Sequence, residues 1–256
     1  VIDLHCHVLP GIDDGPKALE GSLAMARAAL EAGIDTLVAT PHVNARCAND
    51  ADTIARLTAE LNASLAAESI ELRVLPGAEI AVSHLAEIEP AELSRLGLGG
   101  SRWLLVEPPF TLVAMGLEAM LLDLQRAGYQ LVLAHPERCP ALHRDRRIVK
   151  ALVEAGVLMS ITAGSLAGRF GGEVRSYAME LAREGLIHNV TSDAHDTVRR
   201  PPGIAAELQR AGLEPLADWL TTLVPEAVLG DADIPPRPAA TLKPSRSRLR
   251  AFRRAW

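Results

Sequence analysis

Aromatic residues are scarce in this 256-residue chain: Phe, Trp and Tyr together make up 3% of it. That shortage argues against the extended stacking platforms that hold single-stranded nucleic acid. It leaves Leu, Ala, Val and Ile to build the core. Cysteine is nearly as rare. Cys6, Cys47 and Cys139, an odd number at irregular spacing, do not form a disulfide framework, and a reducing cytosol is the expected setting. Long apolar runs are missing too. The richest stretch, 103–124, is broken by Glu107, Pro108, Pro109, Glu118 and Asp123, so no membrane span is expected. No basic segment followed by an apolar one opens the chain, which predicts no signal peptide and a cytoplasmic protein. No G-x-x-x-x-G-K-[ST] phosphate loop occurs, and no Gly-rich turn follows the first strand.

What the chain does have is 48% hydrophobic residues and a length suited to one large domain. The net charge of −6 is unevenly spread. Seven basic residues and no acid lie in 235–256 (Arg237, Lys243, Arg246, Arg248, Arg250, Arg253, Arg254), so the remaining body carries −13. This divides the chain into a domain over 1–234 and a basic, flexible tail over 235–256. The tail is read as a solvated extension, with contact to anionic lipid or an acidic partner as the sharper alternative. The acidic body opposes binding to a nucleic-acid backbone.

Strand and helix patterns alternate throughout. Short apolar runs at 2–7, 36–40, 71–80, 103–107, 130–135, 157–162 and 188–193 read as strands. Pro76-Gly77 interrupts the third. Leu19, Leu23, Ala26 and Leu30 share a helix face, as do Ile54, Leu57, Leu61 and Leu65. Val113, Leu117, Met120, Leu121 and Leu124 line another. Further helices are expected near 84–96, 145–155, 174–184, 203–213 and 216–224. About seven βα units with near-continuously apolar strands indicate an α/β fold with a parallel sheet under helices. A closed TIM-like barrel explains the count, and an open doubly wound sheet is the alternative.

The polar residues of interest gather at strand ends. His5 and His7 fall on one face of the first strand, with Cys6 on the other. His42 follows the second strand, Glu79 ends the third, His135 the fifth, and Asp193 and His195 the seventh, while Asp14 sits in the first loop. In a β/α barrel the C-terminal strand ends meet at one mouth, where active sites lie. A single histidine at a strand end is commonly structural, and His-x-His alone is a weak signal; the weight is in the joint pattern. His84, His143 and His188 lack that placement and read as ordinary residues. Imidazoles with carboxylates suit Zn, Mn, Fe or Ni, and eight candidate ligands suit two or three ions rather than one. Glu79 could bridge a pair. Paired ions about 3.5–4 Å apart clamp the attacking and leaving oxygens of an in-line displacement and bring bound water to a pKa of about 7. Arg138, three residues after His135, and Arg200, beyond His195, could grip an anionic substrate bidentately. Arg199 and Arg46 are weaker candidates, and Arg144, Arg146 and Arg147 read as a solvated helix start.

The segments Ile2-Asp3-Leu4-His5-Cys6-His7, Ile12-Asp13-Asp14-Gly15-Pro16, Thr40-Pro41-His42, Gly77-Ala78-Glu79-Ile80, Ala134-His135-Pro136-Glu137-Arg138 and Ser192-Asp193-Ala194-His195, then Arg200-Pro201-Pro202, run in order over residues 1–225. In these the chain resembles the polymerase and histidinol phosphatase (PHP) superfamily, and within it the bacterial capsule-type (CpsB/YwqE-like) protein-tyrosine phosphatases. The resemblance implies a seven-stranded (β/α)7 TIM-like barrel of the PHP type. It implies a site of three divalent ions, often manganese, with His5, His7, Asp14, His42, Glu79, His135, Asp193 and His195 as ligands. It implies that Arg138 and Arg200 hold phosphate. The implied partner is the phosphotyrosine tail of a bacterial tyrosine kinase that controls capsule or exopolysaccharide assembly. Cys139, Gly11 and the segment 43–47 depart from the family pattern but remove no ligand.

A cysteine-based tyrosine phosphatase requires an arginine six positions after its cysteine. Ile12, Thr53 and Asp145 occupy those places after Cys6, Cys47 and Cys139. Metal-bound hydroxide is therefore the expected nucleophile, with Asp193 or His195 assisting the leaving phenolate. A small-molecule phosphatase, such as one acting on histidinol phosphate, and a non-catalytic phosphopeptide-binding partner are the alternatives.

Overall fold

A computed structural model describes residues 1–113 and 115–240. Among the described residues nine short strands carry the fold: β1 Ile2–Cys6, β2 Thr36–Ala39, β3 His42–Val43, β4 Arg73–Pro76, β5 Glu79–Ala81, β6 Trp103–Glu107, β7 Gln130–Ala134, β8 Leu158–Thr162 and β9 Asn189–Thr191. All named strand pairs are parallel, in the orders β1-β2-β4 and β3-β5-β6-β7-β8-β9. The architecture is therefore α/β with parallel sheets. Such sheets are covered on both faces, which is why β6, β7 and β8 are buried almost end to end.

Prolines explain why seven expected strands appear as nine. Pro41 separates β2 from β3, and Pro76 ends β4 just before β5. A proline has no N–H to give to the ladder, so each run is cut where one falls. The third run also starts later than its apolar pattern suggests, at Arg73 rather than 71. Gly77, in the second break, has to be small: a Cβ there would lie 2.7 Å from Val38 Cγ1. Beyond the last strand, Cys6 and Ala194 form a parallel bridge, His7 N–H donates to Ala194 O (2.9 Å) and Asp193 N–H donates to His5 O (2.9 Å).

The helices follow the expected order, with shifted faces and ends. The helix Leu19–Glu31 buries Ser22, Met25, Ala26 and Ala29, and Leu19 is exposed. The helix Ala51–Ala67 starts at Asp50, whose carboxylate accepts from Thr53 N–H (2.7 Å). The stripe containing Val113 and Met120 is not one face, because the helix begins only at Leu117, after Gly116 at φ +78°, and both residues are exposed. The helical stretch expected at 84–96 is a 3-10 helix, Val82–Glu87, and a single turn, Pro90–Leu93. The one expected at 203–213 is shorter, Ala205–Ala211, and stops at Gly212 in the left-handed region. In place of a helix over 216–224 the chain forms a widened turn, Trp219–Leu223, before the helix Val224–Leu229. Pro225 cannot donate to the preceding turn, which favours that widening.

The start of the basic segment is docked: Trp219 Nε1 donates to Pro235 O (2.9 Å) and Arg237 donates to Ala182 O (3.1 Å). Residues 241–256, most of the tail expected to be flexible, lie outside the described residues.

Candidate metal centre

The C-terminal ends of the strands and the first loop bring the eight residues expected to bind metal into one cluster, buried except for the exposed Asp14 and the partly exposed His42 at its rim. Alternation along β1 puts His5 and His7 on the same side, with their Nε2 atoms 3.2 Å apart. His42 opens β3, Glu79 opens β5, and these two residues pair in register. His135 and Asp193 follow β7 and β9 in the left-handed region, at φ +32° and +50°. That conformation is costly for a residue with a side chain. It turns both side chains off the strand direction at the point where the polar groups meet.

Four overlapping donor groups result: His7, Asp14, His42 and His195; His5, His7 and Asp193; His5, Glu79 and His135; His42, Glu79 and Glu107. Glu79 lies at the centre. Its Oε1 accepts from His135 Nε2 at 2.8 Å, and its Oε2 is 2.9 Å from His42 Nδ1, 3.3 Å from His7 Nε2 and 3.4 Å from His5 Nε2. Asp14 Oδ1 is 3.2 Å from His195 Nε2 and 3.5 Å from His42 Nε2. Asp193 Oδ1 stands 3.5 Å from His5 and 3.6 Å from His7, while its Oδ2 accepts from both Arg138 (2.7 Å) and Arg200. The two arginines expected to hold phosphate thus converge on one carboxylate oxygen at the edge of the cluster.

The charge pattern is that of a site arranged for cations. Burial opposes charge on Glu79, yet His5 and the hydrogen bonds from His135 and His42 hold its carboxyl well below the usual range. Burial likewise works against a proton on His7, but hydrogen bonds to Asp13 and Glu79 raise its pKa to about 10. Burial and the nearby Glu79 charge push Glu107 up to about 7. A cation between the two glutamates would remove that repulsion. His195 Nε2 is buried without a hydrogen-bond partner. Buried polar atoms are seldom left so. Inward-facing lone pairs on imidazole and carboxylate are what a divalent ion of the zinc or manganese type takes.

Two residues of the site escaped the sequence reading. Glu107 ends its strand as Glu79, His135 and Asp193 sit at theirs, so the strand-end rule applied to 103–107 would have found it. Asp13 is different. Its Oδ2 accepts from His7 Nδ1 (2.8 Å) and His42 N–H (3.2 Å), and its Oδ1 from Gly15 N–H (2.9 Å). Nothing in Asp13-Asp14 says which carboxylate points to the cluster and which supports it from behind. His84, His143 and His188 belong to none of the four groups.

A family model described as "Capsular polysaccharide synthesis, CpsB/CapC" matches residues 1–212. The chain is 40% identical over 201 residues to the tyrosine-protein phosphatase YwqE of Bacillus subtilis (strain 168), covering 78% of this chain and 79% of the relative. It is 31% identical over 204 residues to the putative tyrosine-protein phosphatase CapC of Staphylococcus aureus, with the same coverage of each. Among solved structures, one from the crystal structures of YwqE from Bacillus subtilis and CpsB from Streptococcus pneumoniae, described as unique metal-dependent tyrosine phosphatases, superposes with a TM-score of 0.78 at 35% identity. It covers 94% of this chain and 100% of its own.

Proposed function

The chain belongs to the CpsB/CapC family of capsular polysaccharide synthesis, and from that membership we propose how its buried cluster performs the family's chemistry. The protein is a metal-dependent protein-tyrosine phosphatase. Its substrate in our reading is the phosphotyrosine tail of a bacterial tyrosine kinase in the cytoplasm. Among the described residues no helix is long and apolar enough to cross a membrane.

The residues in place fit a cluster of divalent ions, three in our reading, with manganese the first candidate and zinc or iron next. His5, His7, Asp14, His42, Glu79, His135, Asp193 and His195 would hold them, with Glu107 as a ninth ligand. When bound, such ions supply Lewis acidity toward phosphoryl oxygens and bring water within reach of ionisation at neutral pH. The chain's own groups do the rest. Arg138 and Arg200 exchange their shared contact with Asp193 Oδ2 for the phosphate oxygens, gripping them from one side. Asp13 takes the Nδ1 proton of His7 in a hydrogen bond and so turns Nε2 toward the cluster. Asp193, which both arginines contact, or His195, whose backbone N–H donates to Arg200 O (2.9 Å), assists departure of the phenolate.

The two sheets are best read as one seven-stranded (β/α)7 barrel of the PHP type, with β2 and β3 a single strand cut at Pro41 and β4 and β5 a single strand cut at Pro76-Gly77. The bridge from Cys6 to Ala194 supports closure. The phosphatase domain is taken as 1–234 and the basic segment as 235–256.

The observation that carries the function is the convergence of five histidines and four carboxylates, from residues 5 to 195, in one largely buried cluster beside two arginines. The test is elemental analysis of the purified protein together with turnover of a phosphotyrosine peptide and of histidinol phosphate. Chelation should abolish peptide hydrolysis and manganese or another divalent ion should restore it. Full turnover in His5→Ala or His135→Ala, or a preference for histidinol phosphate, would refute the assignment.

A further inference from the structure

Three phenylalanines occur in the whole chain, at 110, 170 and 252. The two within the described residues lie against the same guanidinium. Arg138 Cζ is 4.4 Å from the Phe170 ring centroid and 5.1 Å from that of Phe110. Phe170 also lies 6.0 Å from Arg200 Cζ. In a protein so poor in aromatic residues, two rings around one phosphate-directed arginine call for a physical reason.

The two rings are held differently. Phe170 is half-buried on a turn after β8. That turn is tied down by Arg169, whose guanidinium donates to the nearly buried Glu207 (3.1 Å) and whose N–H donates to Gly164 O (2.9 Å). A Cβ on Gly164 would come within 3.2 Å of the Phe170 ring, so glycine provides its seat. Phe110, by contrast, is 49% exposed. One face stacks on His135, with centroids 5.5 Å apart and planes at 19°. It is not a loose side chain on a free loop. Cys139 Sγ–H donates to Pro109 O (3.2 Å) and Ala141 N–H donates to Thr111 O (3.2 Å), pinning the backbone on both sides of it. An apolar ring is thus fixed at the cluster's mouth with part of its surface left uncovered, next to an arginine aimed at phosphate.

We propose that Phe110 is a specificity-determining residue that receives the aromatic ring of an aryl phosphate, and that Phe170 is a positioning residue holding Arg138 and Arg200. This deepens the phosphatase assignment and rests on it. A phosphate seated on the two arginines places the atom that bears its aryl group toward the exposed side, where Phe110 offers an offset-stacked or edge-on partner. Phe170, the nearer ring and the one that faces both arginines, keeps the guanidinium fork oriented through cation–π contact.

The test is calorimetric binding to the metal-replete protein of two probes, inorganic phosphate and benzylphosphonate, which share the anionic head and differ in the ring. Phe110→Leu should weaken benzylphosphonate by about three- to tenfold more than it weakens inorganic phosphate, the worth of one aromatic pair. Phe110→Tyr, which keeps a ring, should recover the discrimination. Phe170→Leu should weaken both probes alike, because it acts through the arginines. On a phosphotyrosine peptide, Phe110→Leu should appear in KM more than in kcat. Equal effects of Phe110→Leu on the two probes, or none on benzylphosphonate, would overturn the proposal. Absence of peptide turnover by the wild-type protein would instead overturn the phosphatase assignment, and the comparison of probes would still decide the role of the ring.

Discussion

Replacing Asp13 by Asn tests whether the cluster is held by its surroundings as well as by its own donors. The carboxylate accepts three hydrogen bonds, from His7 Nδ1, His42 N–H and Gly15 N–H. Asparagine has the same shape but only one oxygen. If that oxygen faces Gly15, the amide NH2 meets His7 and His42, and two donors oppose each other. If it faces the histidines, the conflict moves to Gly15. Either way the charge assistance is lost and at least one donor is left unmatched, at a cost of about 1–3 kcal/mol. For a chain of this size that corresponds to a fall in Tm of roughly 2–4 °C per kcal/mol. The orientation of His7 should suffer more. Loss of such a supporting partner typically costs about 10- to 100-fold in metal affinity or activity. The assay is a manganese titration followed by calorimetry and by hydrolysis of a phosphotyrosine peptide, with melting measured separately in chelator. Turnover should be low at limiting manganese and recover substantially at saturation. Wild-type manganese affinity together with an unchanged Tm would refute the reasoning.

Gly15→Ala should be more damaging than its size suggests, because the new Cβ would lie 2.3 Å from His7 O and must displace the loop that carries Asp14; a drop in phosphotyrosine-peptide turnover of at least about tenfold is expected, with circular dichroism unchanged. Iodoacetamide at neutral pH should leave turnover intact, since burial raises the pKa values of the Cys6, Cys47 and Cys139 thiols; stoichiometric inactivation would point to a thiolate nucleophile. His188 is kept neutral in the fold, its pKa lowered to about 4 by burial and by Arg237. The unfolded chain binds this proton below about pH 6.5 and the native state does not, so stability falls as pH drops from about 6.5 to 4 and levels off below that. The contribution is at most roughly 3 kcal/mol, and urea melts of wild type and His188→Gln in chelator at pH 7 and pH 4.5 should differ by it.

Much of the site was legible because its residues stand where strands end. His5, His42, Glu79, His135 and Asp193 each close or follow an apolar run, and runs of that kind in a parallel sheet deliver their ends to one side. Glu107 obeys the same rule. Asp14 was named as a ligand but Asp13 was given no role, because its support of His7 depends on how one loop folds back over that histidine, and adjacent carboxylates carry no sign of that. The helix faces were less legible. Leu19, Val113 and Met120 sit at core-like spacing, yet the first is exposed and the other two lie on either side of the Gly116 break. Periodicity reports a stripe but not which part of it the neighbouring element covers.

Residue types and spacing along the chain determined the alternation of strands and helices, the ligand chemistry and the exclusion of a cysteine nucleophile, because these follow from local periodicity and from what each side chain can donate or accept. Tertiary structure alone decided that two arginines share one oxygen of Asp193, that Glu79 sits among four histidines, and that Phe110 and Phe170, 60 positions apart, flank the same guanidinium. Distances between groups so far apart along the chain arise from strand register and loop closure, and no local pattern encodes them.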